Sequence, residues 1–434
     1  MARRTLARLS ARDTTIVGVV GRRVWTAAGA PALEAELRLA CGTVGRAIAS
    51  PASGVWQPIA SQPVHAAAPR GIALDDGPAG TAPARGTPAD PAVAPASAVA
   101  AVNGLLAAAL HGVDAGSQED VDATLFKLDT GGDPWIARAA RTACSLAAAH
   151  AAARAAETPL YRYLRAGMPA RMPLPAVDIV ADQSGTSPFR ALILLPFSAD
   201  GVDDALALSL AIHRDVADAL GPVPVVDERA IETLFFAIER AGFVPAEEVG
   251  IAVDVGAHRL YRDGRYHCRG KAYDADGWGE RLSRLVDDYP VASLEDPFAE
   301  VGSLAMFTPS VDERARVVGN HLFASDAERI GAAAAEGLAS GVVLRPEAAG
   351  TLSELRVAFD AARLAAWPVF MTGDAGIEDT TLVHLATAWQ SGYIKLGGVG
   401  RGSLARWNEL IRIEAQLRPG PAVMHIERAA RLVH

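Results

Sequence analysis

The chain has 434 residues, half of them apolar and 21% charged, and a net charge of -9. That length holds two hydrophobic cores, and the acidic balance argues against sequence-independent nucleic-acid binding, which needs a basic face to displace phosphate counterions. No run approaches the ~20 apolar residues of a membrane helix, and Cys41, Cys144 and Cys268 stand far apart without CxxC spacing, which suggests neither a disulfide framework nor a zinc site and fits a reducing cytoplasm.

The N-terminus, MARRTLARLSARDTTIVGVV, is basic, but its apolar run is too short for a signal-peptide core. From Thr15 to about Ile48, apolar and polar residues alternate around glycine-containing turns, which predicts a small antiparallel meander. Ser50 to Ser97 is crowded with Pro, Ala and Gly and reads as a long loop. Ala98 to Ala115 and Pro134 to Arg165 read as helices, the second an Ala-rich packing helix in which His150 is a core or half-buried histidine. After Pro173, short apolar strands (ALILLPF, VGIAVDV, VASLEDPF, ARVVGN, GVVLRP, PVFMTG, YIKLGG) alternate with amphipathic stretches such as DERAIETLFFAIERAG and TLSELRVAFDAARLAA. This βα alternation fits a (β/α) barrel and equally a doubly wound sheet.

Four charged residues at or just past predicted strand ends bear on that choice: Asp254, Glu295, Arg345 and Lys395. In a barrel these ends converge on one mouth, where carboxylates hold a hard cation through oxygen and a lysine meets an anionic intermediate. The bland alternative is four separate solvated charges. Lysine occurs only at Lys127, Lys271 and Lys395, so one on a motif position carries weight.

SLEDPFAE, YIKLGG with the following RWNELIRIEAQL, LDTGGDP with SLAAAHAAARAAETPLYRYL, and the opening RRVWTAAGAPALEAEL and CGTVGRAIA all resemble segments of enolases, colinearly from about Gly21 to Leu417. The resemblance implies an α/β fold, an enolase-like (β/α) barrel over 166–434 behind a smaller N-terminal α+β capping domain over 1–165 that includes the 50–97 loop. It implies the magnesium-dependent dehydration of 2-phosphoglycerate to phosphoenolpyruvate, and a homodimer or higher assembly.

Carried over position by position, the site is incomplete. Asp254 and Glu295 match the first two metal carboxylates, and the third falls on Asn320, which retains an oxygen but lacks the charge, so magnesium is expected to bind weakly or not at all. The base lysine falls on Arg345, which cannot abstract a proton near neutrality. The acid-side glutamates fall on Ala191 and Ala211, the usual histidine on Gly185, and the substrate-gripping run on Thr372, Gly373 and Asp374. Ser53 stands in the lid serine position, and Lys395 is intact. His258 and His321, close behind Asp254 and Asn320, are either replacement ligands or bases, or hydrogen-bonded bystanders. The glycines of GGVGRG match the family's own loop rather than a dinucleotide site.

Two readings follow. One is an impaired hydratase with a binding, assembly or regulatory role toward a small phosphorylated carboxylate. The other is an active metal-dependent lyase on 2-phosphoglycerate or another carboxylate.

Overall fold

The computed structural model describes residues 13–27, 29–50, 94–128, 134–165, 167, 169–182, 185–221, 224–374, 376–399 and 403–417. Ser53 and most of the expected 50–97 loop lie outside them. The chain is already helical at Ala94, so residues 94–97 belong to a helix and not to that loop.

The predicted meander is a three-stranded antiparallel sheet: β1 (Ile16–Trp25), β2 (Pro31–Leu39) and β3 (Val44–Ala49). Its buried face alternates along the strands, as in Leu33, Ala35, Leu37 and Leu39 of β2. The helices α1 (Ala94–Ala101), α2 (Ala107–Leu110), α3 (Gln118–Phe126), α4 (Pro134–Ala155) and α5 (Leu160–Leu164) follow, with a π-helical turn over Val102–Leu106 between the first two. The alanines of α4 let it lie directly on β3. A Cβ on Gly45 would stand 2.1 Å from the Ala147 carbonyl oxygen and 2.3 Å from the Ala151 nitrogen, so only glycine permits this approach. His150 is half-buried, its Nε2 2.8 Å from Thr381 Oγ1.

Next come β4 (Leu174–Ala181), β5 (Ala191–Leu195), α6 (Val202–Leu220), α7 (Glu228–Arg240) and β6 (Gly250–Asp254). In α7, Ala230, Ile231, Leu234, Ala237 and Ile238 bury one stripe, and Asp227 caps its start by accepting from the Arg229 and Ala230 backbone N–H groups. Each buried Leu or Ile there contributes on the order of 1.5–3 kcal/mol. A small sheet of β7 (Tyr261–Arg262), β8 (Arg265–Cys268) and β9 (Lys271–Tyr273) interrupts the alternation.

The remaining elements are α8 (Ala275–Asp288), β10 (Val291–Glu295), α9 (Val301–Val311), β11 (Arg316–Gly319), α10 (Ala327–Ala335), β12 (Gly341–Leu344), α11 (Pro346–Ala349), α12 (Leu352–Leu364), β13 (Val369–Met371), α13 (Thr381–Trp389), β14 (Tyr393–Gly398) and α14 (Leu404–Leu417). The strands close a barrel in the order β10-β11-β12-β13-β14-β4-β5-β6. This decides between barrel and open sheet.

One strand departs from a regular (β/α) barrel. β5 is antiparallel to both β4 and β6, with Ala191 opposite Asp254, so the start of β5 meets the ends of its neighbours. The barrel interior is filled by side chains such as Leu174, Ile193, Val318 and Val343, and Phe370 stacks on Tyr393 at 4.3 Å. The sheet-and-helix unit is bolted to the barrel by polar contacts. The Asp122 Oδ2 accepts from Ser353 N (2.8 Å), Ser145 Oγ from Leu352 N (2.9 Å) and Asp379 Oδ2 from Ile48 N (3.0 Å). No helix among the described residues is long and apolar enough to cross a membrane.

Candidate active site at the barrel mouth

The parallel strands deliver their C-terminal residues to one end of the barrel, and there the expected charges meet. Asp254 closes β6 and Glu295 closes β10, and the two pair across the strands in register. Lys395 lies in β14, with its Nζ 2.7 Å from Glu295 Oε2 and 3.4 Å from Asp254 Oδ2. Exposure of Asp254, Glu295 and Lys395 is only 3%, 5% and 7%, so these are internal charges whose balance the protein must supply. Asn320, just past β11, presents its Nδ2 rather than its oxygen to this group, donating to Glu295 Oε1 at 2.7 Å.

Burial raises the Asp254 carboxyl, but the Arg190 and Lys395 cations overcome it and hold the group well below the usual carboxylate range. Burial, reinforced by Asp254, pushes Glu295 up to about 7. Burial pulls Lys395 down, yet Glu295 and Asp254 outweigh it and raise the ammonium above its ordinary value. Both carboxylates thus favour the ammonium form of Lys395.

Sequence reasoning passed over two of the residues at this mouth. Arg190 immediately precedes β5, its backbone N–H donates to Asp254 O at 2.7 Å, and its Nη1 stands 3.5 Å from Asp254 Oδ2. Asp178, in β4, has a buried Oδ1 without a partner, and burial raises its carboxyl. The reversed strand hid Arg190, because mouth residues lie at its beginning. Gly256, at φ 53°, makes room for it: a Cβ there would stand 3.3 Å from Arg190 Cδ.

Arginines at the mouth differ in how much of their hydrogen-bonding capacity is spent. Arg259 donates to Gly256 O, Asp182 Oδ2 and Val255 O at 3.1–3.2 Å and is a structural brace. Arg345, at the start of α11, has a buried Nε without a partner. Burial and the like charge of Arg190 lower its value, though a guanidinium stays charged near neutrality. Nearby, Glu347 is raised by burial, and Glu347 Oε1 accepts weakly from Asp374 N at 3.4 Å.

Thr372 follows β13 and is 4% exposed, and its backbone N–H donates to Leu344 O at 2.9 Å. Asp374 turns its Oδ1 to Gly376 N (2.9 Å), and its carbonyl accepts from Arg406 Nη2 (2.8 Å). Both sit on the β13 side, Asp374 within the field of Arg345. Ala191 is at the mouth opposite Asp254. Ala211 is not: it lies on the exposed face of α6, on the outside of the barrel, so the ungapped assignment of a second acid position to it fails. Gly185, at φ 72°, occupies the loop between β4 and β5.

Behind Glu295, Asp296 adopts a left-handed φ of 43°, uncommon for a residue with a side chain. Its Oδ1 accepts from Asn320 N at 2.7 Å, and its Oδ2 from His321 N and Nδ1, each at 2.8 Å. These bonds, with His321, overcome burial and lower the Asp296 carboxyl. The His258 ring lies 4.1 Å from that of His321 and is pushed down to about 4 by burial and that neighbour.

The family model described as the enolase N-terminal domain matches residues 90–164, and that described as the enolase C-terminal TIM barrel domain matches residues 207–427. Arg190 and Asp178 fall between the two matches. The barrel match alone spans more than half of the 434 residues, and together with the closed barrel and the meeting of Asp254, Glu295 and Lys395 at its mouth it places this chain in the enolase family.

Proposed function

We propose that the barrel mouth binds a small carboxylate, with or without a phosphate, through Arg190, Arg345 and Lys395, and that dehydration of 2-phosphoglycerate is weak or absent. The observation that carries this reading is Arg345: a guanidinium whose buried Nε has no partner among the described residues, in the field of a second arginine, Arg190, that stands 3.5 Å from Asp254. Buried donors without acceptors cost free energy, and a planar carboxylate satisfies two of them at once.

Magnesium fits the residues poorly. An ion there needs about six oxygens, whereas Lys395 Nζ already stands between the two carboxylates and Asn320 offers an N–H toward Glu295. The residues present bind and orient rather than abstract a proton: Arg345 and Lys395 are both held as cations. Calorimetric titration with 2-phosphoglycerate, phosphoenolpyruvate and simple dicarboxylates, without metal, tests this. Saturable binding lost in Arg345→Met and Arg190→Met is expected, and unchanged binding in both variants would overturn it.

One observation favours the second reading. Asp178 carries a buried unpartnered oxygen and a raised carboxyl in the field of Lys395, which suits a proton donor to a leaving group. A lyase acting on another carboxylate would lose turnover in Asp178→Asn while keeping substrate affinity. Equal loss of both would remove this reading.

A further inference from the structure

We propose that His258, Asp296 and His321 form a binding site for a borderline transition ion, Zn²⁺ in the first place, distinct from the carboxylates Asp254 and Glu295. One ligand atom from each of the three lies within 4.8 Å of the others. Two imidazoles and one carboxylate are a donor set that zinc accepts and that magnesium, which prefers oxygen, does not.

Much of the site is already assembled. His321 Nδ1 and Asp296 Oδ2 stand 2.8 Å apart. Ligands around a tetrahedral ion at ~2.05 Å are separated by ~3.3 Å, so that pair opens by about 0.5 Å as the ion takes the place of the proton between Nδ1 and Oδ2, which is released to solvent. The remaining separations lie within 4.8 Å, so none needs to close by more than about 1.5 Å, within the reach of a histidine rotation.

The scaffold holds Asp296 firmly. Its carboxylate accepts the Asn320 and His321 backbone N–H groups, its carbonyl accepts Ala257 N at 3.0 Å, and its strained φ directs the side chain to this side of β10. Such outer contacts orient a ligand before the ion arrives. The moving part is His258. Its Nδ1 is buried without a hydrogen-bond partner, and of the three residues it alone is incompletely buried, giving the ion a way in. An imidazole nitrogen with no partner among the described residues, beside a carboxylate and a second imidazole, is disposed to serve as a ligand.

Direct titration of the chelator-treated full chain with Zn²⁺ alone, followed by calorimetry, and with Co²⁺, followed by visible absorption, tests the site. One equivalent should bind, with Co²⁺ giving the intense visible bands of a low-coordinate nitrogen-containing site. His258→Gln should weaken binding by about 10- to 100-fold, while Asp254→Asn should leave it within about threefold. Among the described residues the His258 ring contacts that of His321 and its Nδ1 has no hydrogen-bond partner, so its replacement tests the ion site with little cost to the fold. Absence of Zn²⁺ saturation in the unaltered protein overturns the proposal, as does unchanged affinity in His258→Gln. Loss in Asp254→Asn with retention in His258→Gln would place the ion among the strand-end carboxylates instead and equally overturn it.

Discussion

Replacing Lys395 by methionine keeps most of the side-chain volume and removes the ammonium that stands 2.7 Å from Glu295 and 3.4 Å from Asp254. At an effective dielectric of ~20 the gross attractions are about 6 and about 5 kcal/mol. Much of this offsets the cost of burying three charges, so the expected loss of stability is about 3–5 kcal/mol, the range for breaking a buried pair from one side. The loss depends on pH in a definite direction. Burial raises Glu295 in the folded chain to about 7, above the ordinary ~4.3 of an unfolded glutamate. A group raised in this way contributes stability that is full below the unfolded value and lost as pH rises through the folded one. Lys395 lowers Glu295, so in Lys395→Met that carboxyl is raised further; the defect grows as pH rises through ~7 and beyond and is relieved by protonation on acidification, while Asp254, held low chiefly by Arg190, stays ionised. Urea unfolding followed by tryptophan fluorescence should show the larger defect at pH ~8, a smaller one at pH ~5.5, and recovery of at least about half in Lys395→Met combined with Glu295→Gln. A loss below ~1 kcal/mol, or one that grows on acidification, would refute the internal charge balance described for the mouth.

Turnover of 2-phosphoglycerate, followed as phosphoenolpyruvate formation with magnesium, should be at least ~10³-fold below that of a working hydratase, and Arg345→Lys alone should not restore it, because Ala191 and Asn320 still lack their carboxylates. Asn320→Asp replaces the amide that donates to Glu295 at 2.7 Å by a third carboxylate. It should cost about 1–3 kcal/mol without metal and make the melting temperature magnesium-dependent, which a thermal shift with and without the ion reads directly. Gly45→Ala puts a methyl 2.1 Å from the Ala147 carbonyl and must push α4 off β3. A loss of about 3 kcal/mol or more in urea unfolding is expected.

The fold was legible because its signals are periodic. Alternation over β1 to β3 and the βα rhythm after Pro173 arise from local faces that bury, and those faces are visible in one dimension. The missed elements lack that rhythm. LPAVDIVA, now β4, holds an aspartate within an apolar run, and the strands of the little sheet of β7 to β9 are only two to four residues long, too short to show a period. At the site, Asp254, Glu295 and Asn320 could be named because each ends or follows a parallel strand, and Lys395 because it lies within one, each with a recognisable surround. Arg190 could not, since only the antiparallel pairing of β5 brings the start of that strand to the mouth. Nor does the sequence reveal that Asn320 turns its amide nitrogen to Glu295, or that the Asp296 backbone reverses hand, because both depend on partners distant in the chain.

Lys395 also changes what the outside world can do to the barrel mouth. A dissolved counter-ion is held by mass action and leaves when a chelator or a depleted medium lowers its concentration. An ammonium tethered to β14 has a fixed effective concentration beside Glu295 and Asp254 that no buffer dilutes. In this structure Lys395 supplies the counter-charge of the mouth, and one means of disturbing it is competition. An incoming anion that draws the Lys395 Nζ toward itself loosens Glu295, a carboxyl poised near neutrality, which then takes up a proton. If the mouth takes the carboxylate proposed above, its occupancy is in that sense coupled to proton uptake at Glu295.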